Sequence, residues 1–377
     1  MRNSYGLTLA ALAFAFSSAG CSSDSADSNV KAKKAIERTA VQESIFKPKA
    51  LEETVDALVS AIAKTEAQDL QLNVILKSVT GYWSPVVVGA NRALGELEVS
   101  GAVASPQQET GQEAIDEQNA MIASDRSLGS KGFGVAPFEK PVAEQIDASV
   151  TAGLPVVTID SDLPESKRDM YIGTLNKEAG ATAGNTLKGL LPAGPGTVIV
   201  LGHDDAGWQG GYERSMAAKA VFESAGYSVT VRRTDWTTTG EASDLEALAG
   251  IFADADPPVV GMIGMFSNAY RCAMAAEAAG RTADDIAIVA FDFDPKTVDY
   301  MRSGLIKATH AQRQYYMGYL TPYVLYGMNV LGKDATKAIL GSQMVDEYRF
   351  NSGLDVVMSD QLDEYYSFLD GLGVGGS

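Results

Sequence analysis

The sequence predicts an α/β protein built as two doubly wound, parallel-sheet lobes, with an N-terminal helical extension. Three observations carry this. Short apolar runs rich in Val and Ile recur from Leu72 onward, as fully covered parallel strands do. Helical patterns separate most of these runs, so sheet and helix alternate along the chain. The nine runs are more than one sheet comfortably holds, and 377 residues at 46% hydrophobic content suffice for two lobes.

The elements follow in order. Residues 1–20 read as a secretory signal: Arg2, the apolar stretch Leu7 to Phe16, then small residues. The apolar stretch is too short to span a bilayer as a helix. The junction "AGC" resembles a bacterial lipoprotein signal, which implies lipidation of Cys21; Ser18 departs from it, standing where Leu is usual. Residues 21–28 form a polar tether and 29–68 a helical extension. In the extension, Leu51, Val55, Leu58, Val59 and Ile62 fall at helical spacing. That helix packs on the main body or docks a partner.

The strand candidates are 72–78, 98–105, 132–137, 155–160, 196–202, 227–233, 259–265, 286–292 and 306–312. Segments 139–153 and 211–226 are examples of the helical patterns between them.

Composition excludes several classes. The chain has 30 basic and 48 acidic residues, a net charge of −18, and such a surface is repelled by nucleic-acid phosphates. The two cysteines, Cys21 and Cys272, show no zinc spacing, and a lipidated Cys21 leaves Cys272 without a disulfide partner. Cys272 reads as a small buried hydrophobe. Any histidine chemistry has to use His203 or His310. No cofactor is expected.

Ligands of open parallel sheets sit beyond the carboxyl ends of the strands, so the strand ends hold the candidate site. The first run is followed by Gly81, Tyr82 and Trp83, and adjacent aromatics there can stack on a sugar ring or pack beneath the loop. The fourth ends in "DSD", Asp160 and Asp162, and the eighth in "FDFD", Asp292 and Asp294. Paired acids can hold a metal, do acid/base work, or accept hydrogen bonds from a ligand. One member of each pair can face a ligand while the other caps a turn or faces solvent, and Asp160 and Asp292 are assigned to ligand. Asp162 is assigned to structure, and Asp294 to a helix cap with Pro295 behind it. Arg214 falls in the first turn of a helix, where its fork can grip hydroxyls or a carboxylate. Asn268 is a cap or a ligand amide, and Gln312 closes the ninth run.

With these residues in order, "VVTIDSDLPESKRDMYIGTLNKEAGATAG", "VAFDFDPKTVDYMRSGLIKATHAQRQYYMGY" and "NSGLDVVMSDQLDEY" resemble the periplasmic sugar-binding proteins of ABC transporters, the ribose/galactose-binding type with the type I fold. The likeness runs over residues 70–366. It implies two lobes joined by a three-segment hinge, with crossings near Leu163–Lys167, Arg313 and Asn351–Leu354. The lobes are then 69–164 with 313–351, and 165–312 with 352–377. It matches Tyr82, Trp83, Asp160, Arg214, Asn268, Asp292 and Gln312 to ligand positions, with no catalytic or metal residues.

Two departures stand out: "WQGGYER" offers Gln209 or Trp208 where Asn is usual, and Glu139 follows the third strand. The implied function is extracytoplasmic capture of a small carbohydrate for a permease by a monomer that meets the membrane only through its anchor. The alternative is a sensor subunit that presents its bound form to a chemoreceptor or histidine kinase. A metal-dependent enzyme using the paired acids is a remoter reading.

Overall fold

The computed structural model describes residues 34–375, apart from 193 and 238. The expected signal segment, Cys21 and the tether lie outside the described residues.

An irregular arm, residues 34–48, leads into α1 (Lys49–Ile62). Leu51, Val55, Leu58 and Ile62 are buried on one face of α1, in a cluster with tyrosines 315, 316, 319, 323 and 326. Each buried aliphatic side chain contributes about 1.5–3 kcal/mol. The helix is therefore part of the core, and its apolar stripe is not free to dock a partner.

The first lobe follows: β1 (Leu72–Ile75), α2 (Ser84–Glu96), β2 (Val103–Ala104), α3 (Gly111–Ser127), β3 (Gly132–Val135), α4 (Ala143–Thr151), β4 (Val156–Ile159) and β5 (Met170–Gly173). The second lobe holds α5 (Asn176–Leu190), β6 (Thr197–Gly202), α6 (Gln209–Ser224), β7 (Ser228–Arg233), α7 (Gly240–Asp254), β8 (Val259–Gly264), α8 (Tyr270–Ala278), β9 (Ala287–Phe291), α9 (Pro295–Arg302) and β10 (Ile306–Ala311). The chain returns to the first lobe through α10 (Gln314–Val330), α11 (Lys333–Ile339) and β11 (Arg349–Asn351). It ends with β12 (Asp355–Met358) in the second sheet and α12 (Leu362–Gly371).

Two six-stranded sheets result, ordered β11-β5-β4-β3-β1-β2 and β12-β10-β9-β8-β6-β7. Every pairing is parallel except that of β12 with β10. Each of the nine apolar runs holds a strand. Three further strands, β5, β11 and β12, are short, polar-flanked and absent from the nine strand candidates.

The first crossing is thereby corrected. Met170–Gly173 pairs with β4 in the first sheet, so the chain leaves the lobe at Thr174 and Leu175, and not at Leu163–Lys167. Residues 165–173 belong to the first lobe. The other crossings run through Gln312–Arg313 and through Ser352–Leu354. The three are laced together. Thr174 Oγ1 donates to the Gln312 carbonyl at 3.4 Å and lies 3.5 Å from that of Gly353, while the Ser352 amide donates to the Gly173 carbonyl at 3.0 Å.

Close helix packing sets the positions of the site elements. A Cβ on Gly89 or Gly318 would collide with the backbone of α10 or α2 respectively. Only hydrogen at both positions lets these two helices meet backbone to backbone.

Candidate functional site

Both sheets aim their carboxyl ends at the space between the lobes, and the same local device appears on each side. Asp160 follows β4 with φ 62°, and Asp292 follows β9 with φ 60°. Left-handed backbone is uncommon outside glycine, tolerated best by Asn and Asp, and gathers at functional sites. Each aspartate amide donates to the next strand: Asp160 to Ile172 at 3.1 Å, Asp292 to His310 at 3.0 Å. Each carbonyl accepts from a hydroxyl of that strand: Tyr171 at 2.9 Å, Thr309 at 2.7 Å. The turn swings both carboxylates out of the sheet.

In the second lobe the residues form a chain. Gln312 Nε2 donates to both oxygens of Asp292 at 3.0 and 3.1 Å, and its Oε1 accepts from Arg214 Nη2 at 2.7 Å. Arg214 also donates to Asn176 Oδ1 and the Met265 carbonyl, each at 2.9 Å, and lies over the Phe291 ring, 4.5 Å from its centroid. Because α6 opens at Gln209, Arg214 stands in its second turn and not the first. All three residues are buried. Burial pushes the Asp292 carboxyl up to about 6, with Arg214 and Gln312 opposing and Asp160 adding to the rise.

In the first lobe Tyr82 donates to Asp160 Oδ1 at 2.6 Å, and Ser161 to Oδ2 at 3.1 Å. Burial, then Asp160 and Asp292, push the Tyr82 hydroxyl well above its ordinary range, so it stays a donor. Trp83 lies elsewhere. It is buried among Val74, Leu76, Val86, Ala90 and Met317, touching Tyr82 edge-on at 5.3 Å. Its ring is a prop for Tyr82, largely covered by protein.

The second acid of each pair is structural. Asp162 pairs with Arg168 and accepts from Thr158 at 2.9 Å, while Asp294 caps α9 by accepting from the Lys296 amide at 2.8 Å. Asp160 and Asp162 thus serve different partners. Among the described residues no three His, Cys, Asp or Glu side chains group as metal ligands.

Asn268 is buried just after β8, and neither its Oδ1 nor its Nδ2 has a protein partner. It caps nothing, since α8 begins without a side-chain cap. Buried amides are almost always satisfied. Of the residues at the family departures, Gln209 pairs with Glu213 on the surface and Glu139 is exposed.

Several further residues at this end of the molecule are not among the assigned ligand positions, although the sequence offers Trp208 as a substitute at one family departure. Lys77, two positions past β1, donates to Ser161 at 2.7 Å; burial lowers its pKa against the pull of Asp160 and Glu139. His203 directly follows β6, and its buried Nδ1 lacks a partner. Trp208 stacks on Phe266 at 4.9 Å, Trp236 leans on the same ring at 5.4 Å, and Phe266 in turn lies beside Arg214. Position at a strand end was the signal that could have found them.

Comparison with known proteins places this geometry. Residues 73–334 match the family described as periplasmic binding protein domain. A search of curated proteins returned no match. Among solved structures, the chain is similar to a sugar-binding protein of a sugar ABC transporter from Bacillus halodurans, at 22% identity and TM-score 0.66 over 79% of this chain and 100% of that one. A periplasmic ribose ABC transporter protein from Conexibacter woesei gives 17% identity and TM-score 0.69, over 81% and 97%. A XylFII-LytSN complex gives 20% identity and TM-score 0.58, over 78% and 99%. The chain belongs to the periplasmic binding protein domain family and has its two-lobed type I fold.

Proposed function

We propose that the protein captures a small carbohydrate between its lobes, outside the cytoplasm, and delivers it to an ABC permease. The observation that carries this is the pairing of left-handed Asp160 and Asp292 across the cleft, with the unpartnered amide of Asn268 nearby. Carboxylates accept strong hydrogen bonds from hydroxyls, and an amide both donates and accepts. Lys77 and Arg214 offset the two acids, which favours a neutral polyol over an anion. Tyr82, Trp83, Asp160, Arg214, Asn268, Asp292 and Gln312 form the proposed site, with Trp83 acting through Tyr82. Binding needs no covalent step. The family membership and the sugar ABC transporter proteins of like fold support this reading. We assign Cys21 to lipid attachment after removal of residues 1–20, and the protein to a monomeric state.

Calorimetry of the purified protein against a panel of aldoses, ketoses and cyclitols tests the proposal. Binding of one member by wild type, lost in Asp292→Ala, supports it. Binding of none overturns the carbohydrate reading, and equal binding by Asp292→Ala overturns the site.

A second reading has one observation in its favour. A structure of like fold is named as a complex with a second protein, so the bound form here could be presented to a chemoreceptor or histidine kinase. Uptake retained and signalling lost after charge reversal of the exposed Glu53 on α1 would favour it.

A further inference from the structure

The three crossings are not the whole link between the lobes. Helix α12 starts on the second lobe: Leu362 and Tyr366 pack with Val298, Tyr300 and Met301, and Asp363 pairs with Arg302 at 3.0 Å. It ends on the first lobe and the arm. Phe368, Leu372 and Val374 share a cluster with Val41, Phe46, Ala93 and Leu94. A Cβ on Gly373 would lie 3.3 Å from Arg92 on α2, and one on Gly371 would lie 2.8 Å from Gln42 of the arm. The last helix therefore recrosses the interlobe boundary.

The arm is fastened to the first lobe by a largely buried polar seam. Arg38 donates to the Tyr319 hydroxyl at 3.0 Å and to Glu52 at 2.8 Å. Glu96 on α2 accepts from Tyr319 at 2.5 Å, from Tyr323 at 2.6 Å, and from the Thr39 amide at 2.9 Å. From this anchorage Phe46 meets Tyr365 edge-on at 4.9 Å, and Tyr365 stacks on Phe293 at 5.2 Å and 19°. Phe293 is the residue after Asp292. One aromatic column thus runs from the arm, through α12, to the back of the second-lobe turn.

We propose that Phe46, Tyr365 and Phe293 form a closure strap. The column holds the second lobe against the first from behind the hinge and steadies the left-handed turn at Asp292. Opening by hinge rotation has to slide Phe293, which moves with the second lobe, against Phe46, which is fixed to the first. Stacked and edge-on aromatic pairs contribute beyond their buried area. The strap therefore weights the open–closed balance toward the closed form, and the arm's attachment sets that weight. Phe46 and Tyr365 are positioning residues that touch no ligand in this scheme, and the inference rests on the lobe architecture, independent of which ligand binds.

Interlobe distance is the readout. Spin labels are placed on Leu128→Cys, exposed beyond α3, and Glu246→Cys on α7, in the full chain with Cys21→Ser. Cys272 is buried and its thiol is pushed up, so it stays unlabelled. Pulsed dipolar spectroscopy of the ligand-free protein compares Phe46→Ala, Tyr365→Leu and Tyr365→Phe with the labelled parent. The expected result is a population at longer distance in Phe46→Ala and Tyr365→Leu, and the parental distribution in Tyr365→Phe, which keeps the ring. The parental distribution in Tyr365→Leu overturns the strap. Should Phe46→Ala fail to fold by circular dichroism, Tyr365→Leu, which keeps apolar volume, decides alone.

Discussion

The two aspartate turns share a backbone and differ in everything attached to it. Asp160 and Asp292 have nearly the same φ, an amide bond to the following strand, and a hydroxyl of that strand beneath the carbonyl, from Tyr171 and Thr309 respectively. Around Asp160 the partners are hydroxyls, whose protons rotate to suit an acceptor: a tyrosine and a serine, with a lysine one step removed. Around Asp292 the partner is a buried amide, itself held by a guanidinium that other protein atoms fix. The fold supplies a pair of projecting acids, and local sequence then makes one adaptable and the other preorganised. A preorganised acceptor loses less entropy on binding. The second-lobe turn is therefore the anchor of the proposed site, and the first-lobe turn completes it on closure.

The sharpest way to break this contrast is Asp292→Ala. It removes an acceptor and leaves the buried Gln312 amide without its carboxylate partner, so affinity for the panel sugar falls on the order of 100-fold or more by calorimetry. Asp160→Ala takes away only the adaptable side and costs about 10-fold in the same assay. Equal losses would erase the distinction between the turns. Tyr82→Phe keeps the ring and deletes one hydroxyl, for a loss of a few-fold, roughly 1 kcal/mol.

Protonation gives a further test. The Asp292 pKa is raised in the fold, so the group favours the folded state below its unfolded pKa, and that contribution is lost as pH rises through about 6. His310 runs the other way: burial lowers it to about 4, so its contribution is present above its unfolded value and is lost as pH falls. Asp292→Asn isolates the first effect. Relative to this variant, wild type should lose stability between pH 4 and 7, on the order of 3 kcal/mol at most, read by urea unfolding at each pH. A constant difference across that range would mean that Asp292 is not held as described.

Much of the fold was legible because buried parallel strands are long apolar runs and the helices between them are periodic. Strands β5, β11 and β12 were not, because polar residues closely bound their apolar runs and their pairing depends on distant segments. In the site, strand-end position picked out Asp160, Arg214, Asn268, Asp292 and Gln312 as candidates, and Asp294-Pro295 was readable as a cap. Which of Tyr82 and Trp83 faces the cleft was not readable, since adjacent residues in a single turn differ only in what the fold packs above them. The left-handed turns were hidden too, because nothing in "TIDSD" or "AFDFD" marks φ at a non-glycine residue. The link of Gln312 to both Asp292 and Arg214 joins residues 20 and 98 positions apart, and only the folded chain shows it.

The most direct test is a crystal structure of the protein with the tightest-binding sugar of the panel. Ring hydroxyls bonded to the Asp160 and Asp292 carboxylates, with one engaging the Asn268 amide, are the predicted result. A sugar bound outside the interlobe cleft, or one in it that leaves both carboxylates untouched, would contradict the account.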